Sequence, residues 1–292
     1  MGRSGAGKTS MRSLIFANFT ASDTRRLGAT IDVEHSTVQF MGNLSLNIWD
    51  CGGQHKYLDN YLNEQKENIF GNVEVLIFVF DLETNDRDSE YTLYDDCLQS
   101  LAQLSRDAKV YCLVHKIDKI TDPEQKRNVV DSYESAILQR SGVFQPHVYG
   151  TSIWDHTLYK AWSQIVFTLV PNMATIQGNL ERFCELTDAA EVVLFERATF
   201  LVVCRAMGSG PDPHPDRYMA VSQSIKQYRD ACADQGTPFR STHIRTRSYT
   251  LFIEPFTKST YILVITADPD VEPAVTKANI EAARSHFTKL AD

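Results

Sequence analysis

The fold is decided near the amino terminus by the stretch Gly2-Arg3-Ser4-Gly5-Ala6-Gly7-Lys8-Thr9, which matches the pattern G-x-x-x-x-G-K-[ST] in full. Glycines let the backbone form a concave nest of N–H groups that face phosphate oxygens, and the following helix adds its positive amino-terminal end. Lys8 is placed to reach the β- and γ-phosphates, and the Thr9 hydroxyl is placed to ligate Mg²⁺. The alternative is a chance glycine-rich turn before a helix. Because every residue of the pattern is present, we favour a phosphate-binding loop.

Composition excludes several classes of function. The chain has 292 residues, of which 43% are hydrophobic and 23% charged, as in ordinary globular proteins. Its formal net charge of −8 repels phosphate backbones, which argues against general nucleic-acid binding. The six cysteines are scattered, which is typical of a reduced, cytoplasmic protein. No apolar run is long enough to span a membrane, so we expect no direct membrane insertion.

The first half of the chain alternates helix-like and strand-like segments. Residues 11–19 carry apolar side chains at helical spacing, whereas residues 44–49 alternate apolar and polar side chains as in a half-buried strand. The nearly unbroken apolar runs 73–80 and 110–114 are typical of strands that are covered on both faces. This alternation predicts a doubly wound α/β domain with a mostly parallel sheet, which we place at residues 1–172.

The pattern changes in the second half. Strand-like runs at residues 192–196 and 200–204 predict a hairpin, and two more strands are expected near residues 249–253 and 261–266. Helical patterns precede, separate and follow these two pairs. The order α-β-β-α-β-β-α predicts an antiparallel sheet with helices packed on it, an α+β domain at residues 173–292. We recognise no catalytic cluster in this domain.

A second motif, Asp50-Cys51-Gly52-Gly53-Gln54, directly follows the alternating strand. A carboxylate at the end of a strand is a usual ligand on the magnesium side of a phosphate site, so Asp50 is the candidate. Gly53 is placed to donate its N–H to a γ-phosphate, and Gln54 is placed to orient the attacking water. Taken alone, this motif would be better explained as a Gly-Gly turn after an edge strand.

A third motif, His115-Lys116-Ile117-Asp118, follows the buried run 110–114. The Asp118 carboxylate can accept two hydrogen bonds from N1–H and N2–H₂ of guanine, which adenine cannot supply. Asp118 therefore favours GTP over ATP, and we expect the Lys116 stem to lie over the base. As a lone tetrapeptide the motif is weak, because Lys and Asp are common solvated residues. Its order behind the first two motifs gives it weight.

Two further segments complete the predicted site. Near Thr151-Ser152-Ile153, a backbone N–H is expected to meet the guanine O6, and Thr30 is the candidate switch threonine that ligates Mg²⁺ when the γ-phosphate is present. An ordinary loop residue is the alternative for Thr30. The expected metal ligands are Thr9, Thr30 and Asp50, and the expected catalytic residues are Gln54 and Lys8. The expected contacts to GTP or GDP are Gly2, Ser4, Gly5, Ala6, Gly7, Lys8, Thr9, Ser10, Thr30, Gly53, His115, Lys116, Asp118, Ser152 and Ile153.

These residues together resemble one known family, the Rag GTPases, and within it the A/B branch, of the RagA/RagB or fungal Gtr type. The resemblance covers the whole chain. The stretches that carry it are Arg25–His35 (RRLGATIDVEH), Trp49–Gln54 (WDCGGQ), His115 in place of the usual Asn, Thr151–Asp155 (TSIWD) and Phe195–Val202 (FERATFLV). Two departures from the general small-GTPase pattern, His115 and a Trp154 in place of the Lys that usually flanks the base, fit this family.

The resemblance implies more than the residues themselves do. It implies that the second domain has a roadblock-like fold and pairs with a paralogous C/D-branch Rag GTPase. It further implies docking on a lysosomal or vacuolar scaffold complex, recruitment of the target-of-rapamycin kinase complex when amino acids are plentiful, and control by a GTPase-activating protein. The expected location is thus the cytoplasm and, through partners, the lysosome or vacuole membrane.

A phosphate-binding loop normally follows a central strand, yet only Met1 precedes Gly2. We expect the first strand to be missing from this chain and the native polypeptide to start roughly 6 to 15 residues upstream.

Two alternatives remain at this point. One is an Arf-like trafficking GTPase, whose run around Trp49–Gln54 looks similar. The other is an interaction module that binds nucleotide without hydrolysing it, against which the intact Gln54 argues.

Overall fold

The computed structural model describes residues 1–42, 44–208, 224–229, 231–232, 235–237 and 239–291. The chain divides into two compact units, one of Met1–Ser36 with Asn47–Ala161, the other of Thr37–Leu46 with Trp162–Asp292. The domain boundary that we predicted from the sequence, at residue 172, stays a prediction.

The first unit contains a parallel sheet of three strands, β3 (Val75–Asp81), β4 (Lys109–His115) and β5 (His147–Thr151), in the order β3-β4-β5. The strands arise from the apolar runs of the sequence, and Phe78 and Val114 are fully buried. This part confirms the predicted parallel sheet with helices. Its helices are α1 (Lys8–Phe16), α2 (His55–Leu62), α3 (Lys66–Phe70), α4 (Arg87–Leu104) and α5 (Pro123–Arg140), and α6 (Thr157–Phe167) begins in the first unit and ends in the second.

The strands β1 (Val33–Gln39) and β2 (Ser45–Cys51) form a two-stranded sheet of their own. Along β2 the exposure alternates as the sequence predicts until Asp50 and Cys51, which are both buried. The main chain of Met1 borders the parallel sheet: its terminal ammonium group donates to Ile77 O (2.8 Å), and Val79 N–H donates to Met1 O (3.0 Å). Met1 therefore makes strand-like hydrogen bonds to β3, directly before the phosphate-binding loop.

Side-chain caps fix where two of these helices begin. The Asp86 carboxylate accepts a hydrogen bond from Ser89 N–H (3.2 Å) at the start of α4. Asp122 accepts one from Gln125 N–H (3.0 Å) at the start of α5, whose first residue is Pro123. Both helices follow parallel strands, so these caps set the paths by which the chain leaves the carboxyl edge of the sheet.

The second unit contains an antiparallel sheet in the order β7-β6-β10-β9-β8. Its strands are β6 (Glu191–Glu196), β7 (Val202–Met207), β8 (Thr242–Arg245), β9 (Thr250–Pro255) and β10 (Thr260–Thr266), and helices α7 (Met173–Leu186) and α8 (Pro273–Ala291) flank them in sequence. Residues 224–229 are helical, and the rest of the helix predicted from Tyr218 onward lies mostly outside the described residues.

Two details of the second unit differ from the sequence prediction. The strand β8 was missed, because it has only four residues and most of it is exposed. The second strand of the predicted hairpin begins at Val202 instead of Phe200, since Phe200 adopts a φ of 57° that no strand residue has. Between them, the Glu196 carboxylate accepts hydrogen bonds from Ala198 N–H (2.9 Å) and Thr199 N–H (2.7 Å) and closes the turn.

None of the helices in the described ranges combines the length and apolar character that crossing a bilayer requires.

Candidate nucleotide-binding site

Strand register brings the predicted motifs to one edge of the parallel sheet. Asp81, His115 and Thr151 are paired across β3, β4 and β5, and each is the last residue of its strand. The chain segments that follow, including Asp118 and Ser152, consequently leave the sheet side by side. Ligands of open parallel sheets bind at this carboxyl edge.

The phosphate-binding loop has the conformation that the glycine pattern predicts. Gly5 and Gly7 adopt φ values of 85° and 89°, which side chains strongly disfavour. The Lys8 ammonium folds over the loop and donates to Gly2 O (2.7 Å) and Arg3 O (2.8 Å). Burial lowers the pKa of Lys8 to about 8. Because Gly7 precedes α1 and has no side chain to cap it, the first N–H groups of this helix are available to an anion.

His115 lies directly beneath this loop. A Cβ atom added at Gly7 would lie 2.8 Å from the Cδ2 atom of His115, so only glycine fits there without a shift. The imidazole Nδ1 lies 3.0 Å from Thr151 Oγ1, and this contact links the last residues of β4 and β5. Burial lowers the pKa of His115 to about 4, so the ring is neutral at physiological pH. The neutral His115 ring therefore packs between Gly7 of the phosphate-binding loop and Thr151 at the end of β5.

The three predicted metal ligands come from three separate elements. Thr9 Oγ1 and Thr30 Oγ1 lie 2.5 Å apart, which joins the start of α1 to the loop before β1. The Asp50 side chain at the end of β2 is buried, and its Oδ2 atom accepts no hydrogen bond from the described residues but is ion-paired with Arg12. One buried carboxylate and two hydroxyl oxygens form a donor set that suits Mg²⁺.

Arg12 is a residue of this region that the sequence analysis missed. Its Nε atom lies 3.2 Å from Asp50 Oδ2, and its guanidinium also pairs with Glu34 on β1. Arg12 is three positions after Thr9 on α1, so it lies on the same helix face as the predicted metal ligand. No motif marks this arginine, although the helical spacing could have indicated it.

The end of the Asp50–Gln54 motif packs against the phosphate-binding loop. Ser4 N–H donates to Gly53 O (2.9 Å), and a Cβ atom at Gly53 would lie 2.2 Å from the Ser4 nitrogen. The half-buried Gln54 immediately precedes α2. Arg3 holds the neighbouring region, since its guanidinium donates to Asp86 Oδ2 (2.9 Å) and contacts His55 Nε2 (3.3 Å). The candidate catalytic glutamine is thus beside the loop expected to hold the phosphates.

On the base side, the structure brings Asp118 and Ser152 into direct contact. Ser152 Oγ donates to Asp118 Oδ1 (2.6 Å), and Trp154 N–H donates to Ser152 Oγ (3.0 Å). One carboxylate oxygen of Asp118 is thereby fixed by the protein. Ile153, the other predicted contact after β5, is partly buried in the turn between Ser152 and Trp154.

Lys116, the residue directly after β4, forms ion pairs with two acidic residues. It adopts a φ of 70°, and its ammonium lies 2.7 Å from Asp81 Oδ2 and 3.3 Å from Glu83 Oε2. Burial alone would lower the pKa of Lys116, but the hydrogen bonds to these two carboxylates outweigh it and raise the pKa. Lys116 is therefore a fixed cation beside the base-side loop. The predicted position of its stem over the base stays a prediction.

Comparison with known proteins identifies the family. The family model described as "Gtr1/RagA G protein conserved region" matches residues 1–225. The chain is 48% identical over 292 residues to Ras-related GTP-binding protein A of Dictyostelium discoideum, covering 99% of this chain and 96% of that protein. It is 45% identical over 285 residues to GTP-binding protein gtr1 of Schizosaccharomyces pombe, covering 97% and 92%.

A more distant relative belongs to another branch. Ras-related GTP-binding protein D of Mus musculus is 27% identical over 210 residues, which cover 67% of this chain and 44% of that protein. The matches to the Dictyostelium and Schizosaccharomyces proteins cover nearly the whole chain, whereas the match to protein D covers two thirds of it. This difference confirms the resemblance that the motifs indicated. The chain belongs to the Gtr1/RagA family and is a Rag GTPase.

Proposed function

We propose that this chain binds GTP or GDP with Mg²⁺ at the carboxyl edge of its parallel sheet and hydrolyses GTP slowly, as the A/B-type subunit of a Rag heterodimer. The observation that carries the proposal is the convergence of the Lys8 loop, the buried Asp50 carboxylate and the Asp118–Ser152 pair at this edge. Family membership supports guanine-nucleotide binding. The metal, the rate and the partners are proposed.

The phosphates would bind over the loop from Gly2 to Ser10, where N–H groups and the Lys8 ammonium neutralise their charge. Asp118 would accept hydrogen bonds from guanine, with Ser152 fixing its orientation. Thr9, Thr30 and Asp50 would hold Mg²⁺, which when bound supplies positive charge at the β- and γ-phosphate oxygens. Loss of the γ-phosphate would release Thr30, so that hydrolysis changes the conformation of the loop before β1.

Hydrolysis would proceed by in-line attack of water on the γ-phosphate. Gln54 orients the water, and Lys8 stabilises the charge that develops on the phosphate oxygens. Sites of this type turn over at roughly 10⁻⁴ to 10⁻³ s⁻¹ without an arginine supplied by another protein. We therefore propose that an external GTPase-activating protein sets the physiological rate.

The partners follow from the family. The existence of C- and D-type relatives supports a heterodimer, which we propose forms through a roadblock-like domain at residues 173–292, where the structure has a five-stranded antiparallel sheet. We further propose that a lysosomal or vacuolar scaffold complex positions the heterodimer, which then recruits the target-of-rapamycin kinase complex. Co-purification of the tagged chain from its native cell, with identification of the bound nucleotide and any stoichiometric second subunit, tests these partners.

The catalytic part of the proposal is tested by single-turnover GTP hydrolysis. We expect Gln54→Leu to hydrolyse GTP much more slowly than the parent while binding it with unchanged affinity. Gln125→Leu is the matched control, because Gln125 is an exposed glutamine on α5 and should behave as the parent.

Three results would contradict the proposal. Equal rates in Gln54→Leu and the parent would remove Gln54 from the mechanism. GTP binding without hydrolysis in the parent would instead favour a non-hydrolysing interaction module. Direct GTP-dependent binding of the isolated protein to liposomes would favour a function of the Arf type.

A further inference from the structure

Arg25 and Trp154 make a contact that the proposed chemistry does not use. The Arg25 guanidinium carbon lies 5.1 Å from the centroid of the Trp154 ring. This is the geometry of a cation–π interaction. Both residues lie on the surface, and 48% of the Trp154 surface is exposed. The contact joins two loops that are far apart in sequence.

Trp154 is anchored on the base side of the site. Its N–H donates to Ser152 Oγ (3.0 Å), and the same Oγ donates to Asp118 Oδ1 (2.6 Å). The backbone of Trp154 is therefore one hydrogen-bonded residue away from the carboxylate that would select guanine. A ring at this position would stand on the side of the site where the base is expected and not on the side of the γ-phosphate.

Arg25 belongs to a short, internally braced turn. It lies in the 3-10 helix Asp23–Arg26, where the Asp23 carboxylate accepts hydrogen bonds from Thr20 N–H (2.9 Å) and Thr20 Oγ1 (2.6 Å). Thr24 Oγ1 donates to Ala21 O (2.7 Å). These hydrogen bonds hold residues 20–24 together in one turn, and Arg25 follows in the same 3-10 helix.

The same segment is attached again at the phosphate end of the site. Five residues after Arg25, Thr30 Oγ1 lies 2.5 Å from Thr9 Oγ1. The segment between α1 and β1 thus contacts Trp154 through Arg25 and contacts Thr9 through Thr30. A nucleotide that extended from Asp118 to Lys8 would lie between these two contacts.

We propose that Arg25 and Trp154 form a latch that holds this segment over the bound guanine nucleotide and slows its release. The proposal rests on the proposed function, because it requires a nucleotide in the site. Since Trp154 stands on the base side, the latch acts on GDP and GTP to the same extent. The Thr30 contact, by contrast, would distinguish the two nucleotides.

Arg25 precedes the switch threonine, Thr30, and is therefore also a candidate for stabilising the transition state in cis. In the latch it has a positioning role instead. Engaged with Trp154, its guanidinium is directed to the base side. Arg25 is thus expected to change nucleotide release and not the rate of the chemical step.

Release of fluorescently labelled GDP and GTP from the full chain, chased with excess unlabelled nucleotide, tests the latch. We expect Arg25→Ala and Trp154→Ala each to release both nucleotides about two- to fivefold faster, the range of an exposed cation–π contact. Combining the two substitutions should add nothing further. Arg25→Lys, which keeps a cation, should restore part of the effect. Arg26→Ala is the matched control on the same turn and should release nucleotide as the parent does.

The possible outcomes separate the latch from the function on which it rests. If the parent binds no guanine nucleotide, the proposed function fails. If it binds but Arg25→Ala releases GDP at the parent rate, the latch is wrong and the function stands. Slower hydrolysis with unchanged release in Arg25→Ala would show that Arg25 acts on the transition state. Additive effects in the double variant would show that the two residues act separately.

Discussion

The contact between Gly7 and His115 makes a quantitative prediction for Gly7→Ala. Alanine at a φ of 89° costs about 1–2 kcal/mol of left-handed backbone strain. In addition, the new methyl group would lie 2.8 Å from His115 Cδ2, a ring atom of a side chain that is 2% exposed and is held at Nδ1 by Thr151. Overpacking of this kind costs about 1–3 kcal/mol. We expect Gly7→Ala to lower the free energy of unfolding by about 2–5 kcal/mol.

Gly5→Ala is the matched control, because Gly5 has a similar φ of 85° but no atom within 4 Å of the added Cβ. It should show the strain alone, about 1–2 kcal/mol. The assay is urea unfolding without nucleotide, so that effects on ligand binding do not enter. In a His115→Ala background the difference between the two glycine variants should disappear. Equal losses for both in the wild-type background, or a difference that persists without the imidazole, would refute the reasoning.

Two further predictions concern pH and the second unit. The pKa of His115 is about 4 in the folded chain and near 6.5 in the unfolded chain, so the unfolded state takes up the proton first as pH falls. The free energy of unfolding therefore decreases between about pH 6.5 and pH 4, by up to about 3 kcal/mol. His115→Asn should flatten this part of the pH profile in urea titrations, and an unchanged slope would contradict the buried neutral ring. In the second unit, Glu196→Ala leaves Ala198 N–H and Thr199 N–H without their acceptor. It should destabilise the chain by about 1–3 kcal/mol with GDP affinity unchanged, and altered affinity would show that the turn affects the nucleotide site.

Much of the site could be predicted because its residues follow strands directly. The apolar runs define where β4 ends, and His115 to Asp118 follow at once, so the motif could be placed without knowing the rest of the fold. The conformation of Gly7 was likewise encoded locally, because few residues other than glycine tolerate its φ. Local sequence patterns were sufficient wherever the chemistry lies within a few residues of a strand end.

Contacts between distant segments could not be predicted in this way. Arg12 reaches Asp50 and Arg25 reaches Trp154 only after the fold has formed. Arg12 belongs to no recognised motif, and the stretch that begins at Arg25 gave no indication of its contact with Trp154. The strand β8 escaped prediction because a short, exposed edge strand needs no apolar alternation. These features depend on tertiary structure, which periodicity in a single sequence does not report.

Isothermal titration calorimetry of the full chain with GTP and with ATP, in buffer containing Mg²⁺, tests the central claim most directly. The account predicts saturable heat with GTP, at one site per chain, and binding of ATP at least about a hundredfold weaker, because adenine cannot supply the two donors that Asp118 accepts. Asp118→Asn should remove most of this preference. No heat with GTP or GDP, or equal binding of ATP, would contradict the account.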